Sequence, residues 1–361
     1  MSKIPQTRQG HRPVAIVGFS QSKSLRADRE SNEVEMLLPI IHDVFQKAHM
    51  KKDDIGFICS GSTDYLIGGP FSFVTALDAI GVWPPKTESH VEMDAAWALY
   101  EAFVRLQEGD LDTALVYGFG KSSLGNLSEI YNLQLDPYTM APLHPDLVSL
   151  AALQARAVID QGLGTEEDFA RIAARSRKSA LENPFAQVRR DDSVEALLQE
   201  PYLVSPLRRH CLPPISDGAS AIILAAGDKA FELAENPAWI TGIDHRIETH
   251  AFGARNLAVS TSTAKAASIA GVGEGHVDVA ELHAPFAPQE LIVKKALGLG
   301  DSVSINPSGG PLAANPLMAG GLIRFGEAAQ AILDGNATRT VAHATGGPLL
   351  QQNLVAVLEG A

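Results

Sequence analysis

Short apolar runs alternate with longer helical patterns along this chain, and the order repeats. Val14 to Phe19 reads as a buried strand, Val34 to Ala48 as a helix, and Ile55 to Ser60 as a second strand. Ala95 to Leu106 then reads as a helix and Thr113 to Tyr117 as a third strand. About 225 residues later the series returns. Pro13 to Phe19 (PVAIVGF) is matched by Ala238 to Ile243 (AWITGI), and Asp54 to Cys59 by Asp278 to His283. Glu101-Ala102 followed by Gly109 is matched by Glu327-Ala328 followed by Gly335 at the same spacing. Each copy runs on into an apolar strand and a glycine, Leu115 to Gly118 and Val341 to Gly346. Such a chain is expected to be an α/β protein of two duplicated βαβα-type halves, at 1–235 and 236–361. Between about 121 and 210 the composition shifts, which marks an insertion inside the first half.

Composition narrows the function. The 361 residues carry 29 basic and 42 acidic side chains, a net charge of −13, which argues against a nucleic-acid partner. Only Cys59 and Cys211 occur, too few for a disulfide framework or a four-thiolate zinc site. The opening MSKIPQTRQGHRP lacks the apolar core of a signal peptide, and no apolar run approaches the roughly 18 residues of a membrane span. A cytoplasmic protein without a membrane span is the expectation. No metal-ligand spacing, phosphate loop or GxGxxG after a strand is present, so zinc, ATP and NAD have no direct support. Within the insertion, Thr165 reads as a helix N-cap, and Arg171, Arg175, Arg177, Lys178, Arg189 and Arg190 concentrate positive charge. That cluster is either a solvated helix face or a site for a phosphorylated ligand such as a nucleotide-tailed thioester, with Arg177 and Arg189 as its candidates.

The segment from Ser176 to Ala226 contains NPFAQVRR and SDGASA, and in these elements it resembles the thiolase superfamily, in its sterol-carrier-protein-X-like or lipid-transfer-protein branch. VAELHAPFAPQEL (279–291) and INPSGGPLAANPLMAGGLIRFGEA (305–328) resemble that branch's later motifs. HVEMDAAWALYEA and ALVYGFGKSS resemble actinobacterial relatives associated with steroid side-chain breakdown. The resemblance implies the thiolase fold, two αβα halves stacked as five layers.

Where the family keeps its catalytic residues, this sequence departs. The nucleophilic cysteine at a helix N-terminus reads Glu92, ahead of a helix expected from about Met93 to Leu106. A carboxylate there would form a reactive anhydride on acylation, so thiolase-type acyl transfer is not expected; Glu92 is either a capping carboxylate or a substrate-facing base. The family's glycine-histidine-proline reads Ala314-Asn315-Pro316, and Asn315 can donate a hydrogen bond but cannot shuttle protons. The second cysteine falls at Ala344.

His283 occupies the family position that polarises the thioester carbonyl and is the leading catalytic candidate; the bland alternative is a structural histidine at a strand end. His343, beside the lost cysteine, is a candidate proton shuttle or a core histidine. Ser308, Gly309 and Gly310 permit close backbone approach to the coenzyme A part of a substrate, or serve packing. Asp64-Tyr65, Asp136-Pro137-Tyr138 and His144 are expected in the pocket walls. Both cysteines read as buried thiols without catalytic duty.

The resemblance implies retro-aldol cleavage of a β-hydroxyacyl-CoA, with a steroid-derived acyl group, His283 holding the enolate and Glu92 or His343 carrying the proton. Coenzyme A enters only as part of the substrate, with no tightly bound cofactor. A homodimer or a heterodimer with another thiolase-like chain, and a small partner with a zinc ribbon and an OB-fold, are implied likewise. The rival expectation is a non-catalytic subunit that binds acyl-CoA or lipid.

Overall fold

Strand β1 (Val14–Gln21) is buried along its whole length, so it needs cover on both faces, and that requirement sets the layering of the molecule. The computed structural model describes residues 4–81 and 83–361; Met1 to Lys3 of the N-terminal stretch lie outside them. After β1 come α1 (Glu33–Lys47), β2 (Phe57–Gly61), α2 (Asp64–Ile67), α3 (Phe73–Ile80), β3 (Thr87–Val91), α4 (Ala95–Leu106) and β4 (Thr113–Lys121). The insertion contributes α5 (Leu127–Leu133), α6 (Leu147–Asp160), α7 (Glu166–Ser179), α8 (Val194–Leu198) and a small pair, β5 (Tyr202–Val204) with β6 (Leu207–Arg208). Strand β7 (Asp217–Ala226) and α9 (Lys229–Leu233) complete the first half. The second half runs β8 (Ala238–Ile247), α10 (Thr261–Ala270), β9 (Val279–Leu282), α11 (Ala287–Leu297), β10 (Ser304–Ile305), α12 (Gly320–Leu333), β11 (Arg339–Gly346) and β12 (Gln352–Glu359).

The strands form the order β10-β9-β11-β12-β8-β1-β7-β4-β2-β3. Read outward from the middle, each half places its own five strands in one order, first, fifth, fourth, second, third, so the duplication is visible in topology. The halves meet edge to edge where Ala15 and Ile16 pair antiparallel with Trp239 and Ala238. Three apolar clusters give five layers. In the middle, α4 and α12 lie between the inner faces of both half-sheets, with Leu99, Phe103, Leu322 and Phe325 packed among Val116, Ile222, Ala342 and Ala356. Helices α1 and α3 cover the outer face of the first half-sheet, and α10 and α11 that of the second. Being sandwiched explains why α4 buries eight of its twelve residues rather than a single stripe.

The insertion does not stay with the half it interrupts. Phe169 and Ile172 of α7 and Val158 of α6 join the second half's outer cluster. The equivalent connection in the second half, between β11 and β12, spans only 347–351.

Two local features recur in both copies. The ladder skips a residue just before Gly18 in β1 and just before Gly242 in β8. Each glycine lies under the outer helix of its own half: a Cβ at Gly18 would come 3.3 Å from Val44 Cγ2, and one at Gly242 would come 2.2 Å from the Ala270 carbonyl oxygen. The match of Asp54–Cys59 to Asp278–His283 is corrected by two residues. Phe57 pairs with Ala114 as Val279 pairs with Thr340, so Cys59 corresponds to Glu281 and Gly61 to His283.

Candidate active site

Helix N-termini leave backbone N–H groups without partners, and here two of them converge. Asp94 caps α4, accepting the Ala96 N–H at 2.9 Å. The flanking residue of α12 is Ala319, which has no side-chain acceptor, and Asp94 serves that helix as well. Gly321 N–H donates to Oδ2 at 2.8 Å and Leu322 N–H to Oδ1 at 3.1 Å. One buried carboxylate thus holds three donors from the two central helices. The approach demands glycine at 321, where a Cβ would lie 2.4 Å from Asp94 Oδ1. The expected helix start at Met93 is corrected to Ala95, because Asp94 is the cap.

Beside this junction sits His283, just past the end of β9. Thr345 N–H faces its Nδ1 at 3.5 Å and Nε2 lies 2.9 Å from Asn315 Oδ1, an arrangement that puts the ring proton on Nε2. Burial pushes His283 below the ordinary histidine pKa, with the Asp94 charge opposing, so the ring stays neutral near pH 7. Asn315 is fixed from behind by its own N–H, which donates to Ser216 Oγ at 3.1 Å, and Ser216 in turn bonds Gln187 Oε1 at 2.7 Å. Gly320 leaves room for the pair, since a Cβ there would stand 3.2 Å from His283 Nε2 and 3.1 Å from Asn315 Oδ1.

These groups face a cavity of about 780 Å³. Glu92, Asp94, His283, Asn315, Tyr131 and Thr345 all line it, and α5 of the insertion forms part of its wall. Of the four expected catalytic positions the fold therefore gathers three. Glu92 does not occupy the helix N-terminus; its Oε1 accepts Thr63 Oγ1–H and Asp64 N–H, both at 2.7 Å, and Oε2 stands 3.6 Å from His90 Nε2. His343 is the exception. Strand alternation turns it to the outer face with Val341, where its Nε2 meets Asn353 Oδ1 at 3.0 Å and burial lowers its pKa to about 4. A fully buried ring outside the cavity wall cannot pass a proton to a ligand there.

The expected coenzyme-binding residues also lie apart from the cavity lining. Arg177 is paired with Asp192 at 2.6 Å, and Arg189 is exposed. Ser308 bonds Glu281 at 2.8 Å, and the room left by Gly309 and Gly310 is taken by Ala180 and Asn306 of this same chain. Most of the basic cluster is neutralised, with Arg171 on Glu167, Arg175 on Glu290 and Lys178 on Asp191. Of the wall candidates, Tyr65 reaches the cavity, whereas Tyr138 is exposed and His144 bonds Asn132 at 2.6 Å. Both cysteines are buried away from the lining; burial raises the pKa of Cys59 and pushes Cys211 up to about 11.

The missed residue is Asp94. Its position before an apolar helix is a local capping signal, but no local pattern ties it to residues 321 and 322. Chemically the site offers the Asn315 amide N–H, oriented by the His283 Nε2–H that Asn315 Oδ1 accepts, and an exposed carboxylate, Glu92. Asp94 occupies N–H groups that an oxyanion would otherwise use. No cluster of potential metal ligands occurs among the described residues, and no described helix is long and apolar enough to cross a membrane.

No family model matches the chain. An acetyl-CoA acetyltransferase of Methanocaldococcus jannaschii is 30% identical over 349 residues, covering 88% of each protein. Rat sterol carrier protein 2 is 28% identical over 273 residues, 64% of this chain. The chain spans 49% of that protein, and 53% of an acetyl-CoA acetyltransferase of Methanothermobacter thermautotrophicus that is 28% identical over 202 residues. Among solved structures, an Ltp2-ChsH2(DUF35) aldolase superposes with a TM-score of 0.80 at 18% identity, covering 96% of this chain and 97% of that one. With an archaeal acetyltransferase aligned along most of its length and the same layered architecture in its neighbours, its cavity holding no thiol among the described residues, this chain belongs to the thiolase superfamily.

Proposed function

We propose that this protein binds an acyl-CoA thioester and cleaves a β-hydroxyacyl-CoA by a retro-aldol step. The observation that carries the reading is one cavity holding the neutral hydrogen-bonded pair of His283 and Asn315 and a carboxylate at Glu92, with both cysteines elsewhere. The thioester oxygen lies against Asn315 Nδ2 and takes over the His283 Nε2–H that Asn315 Oδ1 accepts in the free protein. Glu92 takes the β-hydroxyl proton, the bond between Cα and Cβ breaks, and its electron pair enters the thioester as an enolate whose oxygen those donors hold. The hydroxyl carbon leaves as a ketone or aldehyde, and the enolate takes up a proton at Cα to give the shortened acyl-CoA. Coenzyme A is part of the substrate. The aldolase neighbour supports this chemistry over thiolysis.

The finer reading follows from the same resemblance: a steroid-derived acyl group, halves at 1–235 and 236–361, and a cytoplasmic setting that suits two free thiols. A second thiolase-like chain would pair at β3, a free sheet edge flanked by exposed Trp83 and Phe71. A zinc-ribbon and OB-fold partner fits the two-component neighbour. One feature favours the rival reading of a non-catalytic acyl-CoA-binding subunit, namely that Asp94 fills the donors at both helix N-termini.

The test is incubation with several β-hydroxyacyl-CoA thioesters, with and without such a partner, measuring release of a carbonyl product and acyl-CoA. Glu92→Gln and His283→Ala should abolish turnover while leaving thioester affinity within about tenfold. Affinity without any cleavage would establish the rival reading, and no affinity would end both.

A further inference from the structure

We infer that the connection between β11 and β12, residues 347–351, is a preset wall of the acyl cavity, and that Arg255 and Asn353 hold it in the shape that selects the acyl chain. The inference rests on the cavity being an acyl-CoA site. Leu349 and Leu350, both at φ +59°, are consecutive leucines in the left-handed region, which non-glycine residues seldom adopt. Such backbone persists only where its surroundings fix it, and here every carbonyl from 348 to 352 has a partner. Arg255 Nη2 donates to Pro348 O at 3.4 Å and Nη1 to Leu349 O at 3.2 Å. Asn353 Nδ2 donates to Leu350 O at 2.9 Å, Glu248 N–H to Gln351 O at 2.8 Å, and Thr345 Oγ1 to Gln352 O at 2.9 Å.

The holding residues are themselves fixed. The Arg255 side chain is 6% exposed and lies 3.8 Å from Glu248, whose carboxylate accepts the N–H and hydroxyl of Ser262 at the start of α10, both at 2.8 Å. Asn353 bonds Ser262 Oγ at 2.7 Å through Nδ2, while its Oδ1 receives His343. His343, unsuited to the proton transfer expected of it, therefore has a place in this assembly. The other end of the loop is the cavity: Gly346 through Gln352 line it, next to Thr345 and His283. Neither Arg255 nor Asn353 lines the cavity, so both are positioning residues.

The experiment compares wild type, Arg255→Lys and Arg255→Ala. Hydrogen exchange of the 346–352 amides is measured without ligand, and calorimetric affinities are measured for octanoyl-CoA and cyclohexanecarbonyl-CoA. In Arg255→Ala the loop amides should exchange about tenfold faster, and the affinity ratio of the two thioesters should move toward one by about fivefold. Arg255→Lys, which keeps a cation and a donor, should recover most of both and serves if the alanine variant does not fold. Unchanged exchange overturns the clamp. Faster exchange with a ratio unmoved within about twofold overturns the role in selection. A wild type that binds neither thioester sinks the acyl-CoA reading and the selective role with it, while the exchange data still judge the clamp.

Discussion

Replacing Asp94 with alanine removes one side chain and unsettles two helices. The capping bond to Ala96 is lost, which costs about 0.5–2 kcal/mol. The N–H groups of Gly321 and Leu322 lose their acceptor inside the protein, at about 1–3 kcal/mol each. Because the cavity adjoins this junction, water can replace part of the loss, and about 3–5 kcal/mol is expected in total. Urea unfolding at pH 7 reads it as a lowered midpoint at constant slope. Asp94→Asn, which keeps an acceptor oxygen, should fall between. Asp301→Ala is the control, since that carboxylate is exposed and meets only Lys294, and its midpoint should barely move. If Asp94→Ala unfolds at the same midpoint as Asp301→Ala, the double cap does not hold the central helices together.

Three further expectations concern stability. The folded pKa of His343, about 4, lies below the ordinary 6.5, so the neutral ring stabilises the fold at pH 7 and that contribution is lost as pH falls between the two values. Wild type should therefore lose roughly 3 kcal/mol more than His343→Gln between pH 7 and 4 in paired unfolding curves; parallel curves would contradict this. Burial and the Glu281 charge raise the pKa of Glu327, so its carboxyl favours the fold at low pH and disfavours it as pH rises. Glu327→Gln, still able to accept from Gln21 and Asn183, should be more stable than wild type at pH 7, with the gap closing below the ordinary carboxyl range. Gly242→Ala should destabilise by about 2 kcal/mol or more, because the new methyl meets the Ala270 backbone, and Gly18→Ala by less, because it meets a Val44 methyl that can shift; equal losses would refute that distinction.

The fold was legible because its signals are local and strong. The helix ending at Leu106 is found to within two residues at its start, the Thr165 cap coincides with the observed one, and the paired motifs near Gly18 and Gly242 mark the same ladder irregularity in each half. Turn residues align the two copies two residues out of register. Asp54 and Asp278 both precede a strand, but the pairing of β2 with β4 and of β9 with β11 fixes equivalence two residues away. The site was half legible. Motifs point to His283, Asn315 and Glu92, whereas for His343 the structure has the core histidine and not the proton shuttle, because nearness in sequence to the lost cysteine does not decide which face of β11 a side chain takes. Asp94 escaped because its second helix lies more than two hundred residues away, a relation that only packing creates.

The most direct measurement uses a chain with Cys59 and Cys211 both replaced by alanine, incubated with a β-hydroxyacyl-CoA and followed by product analysis and intact-protein mass. Carbonyl release at the wild-type rate, with no acyl adduct on either protein, is the predicted result. Loss of cleavage together with an acyl group on a cysteine of the wild-type chain would contradict the account.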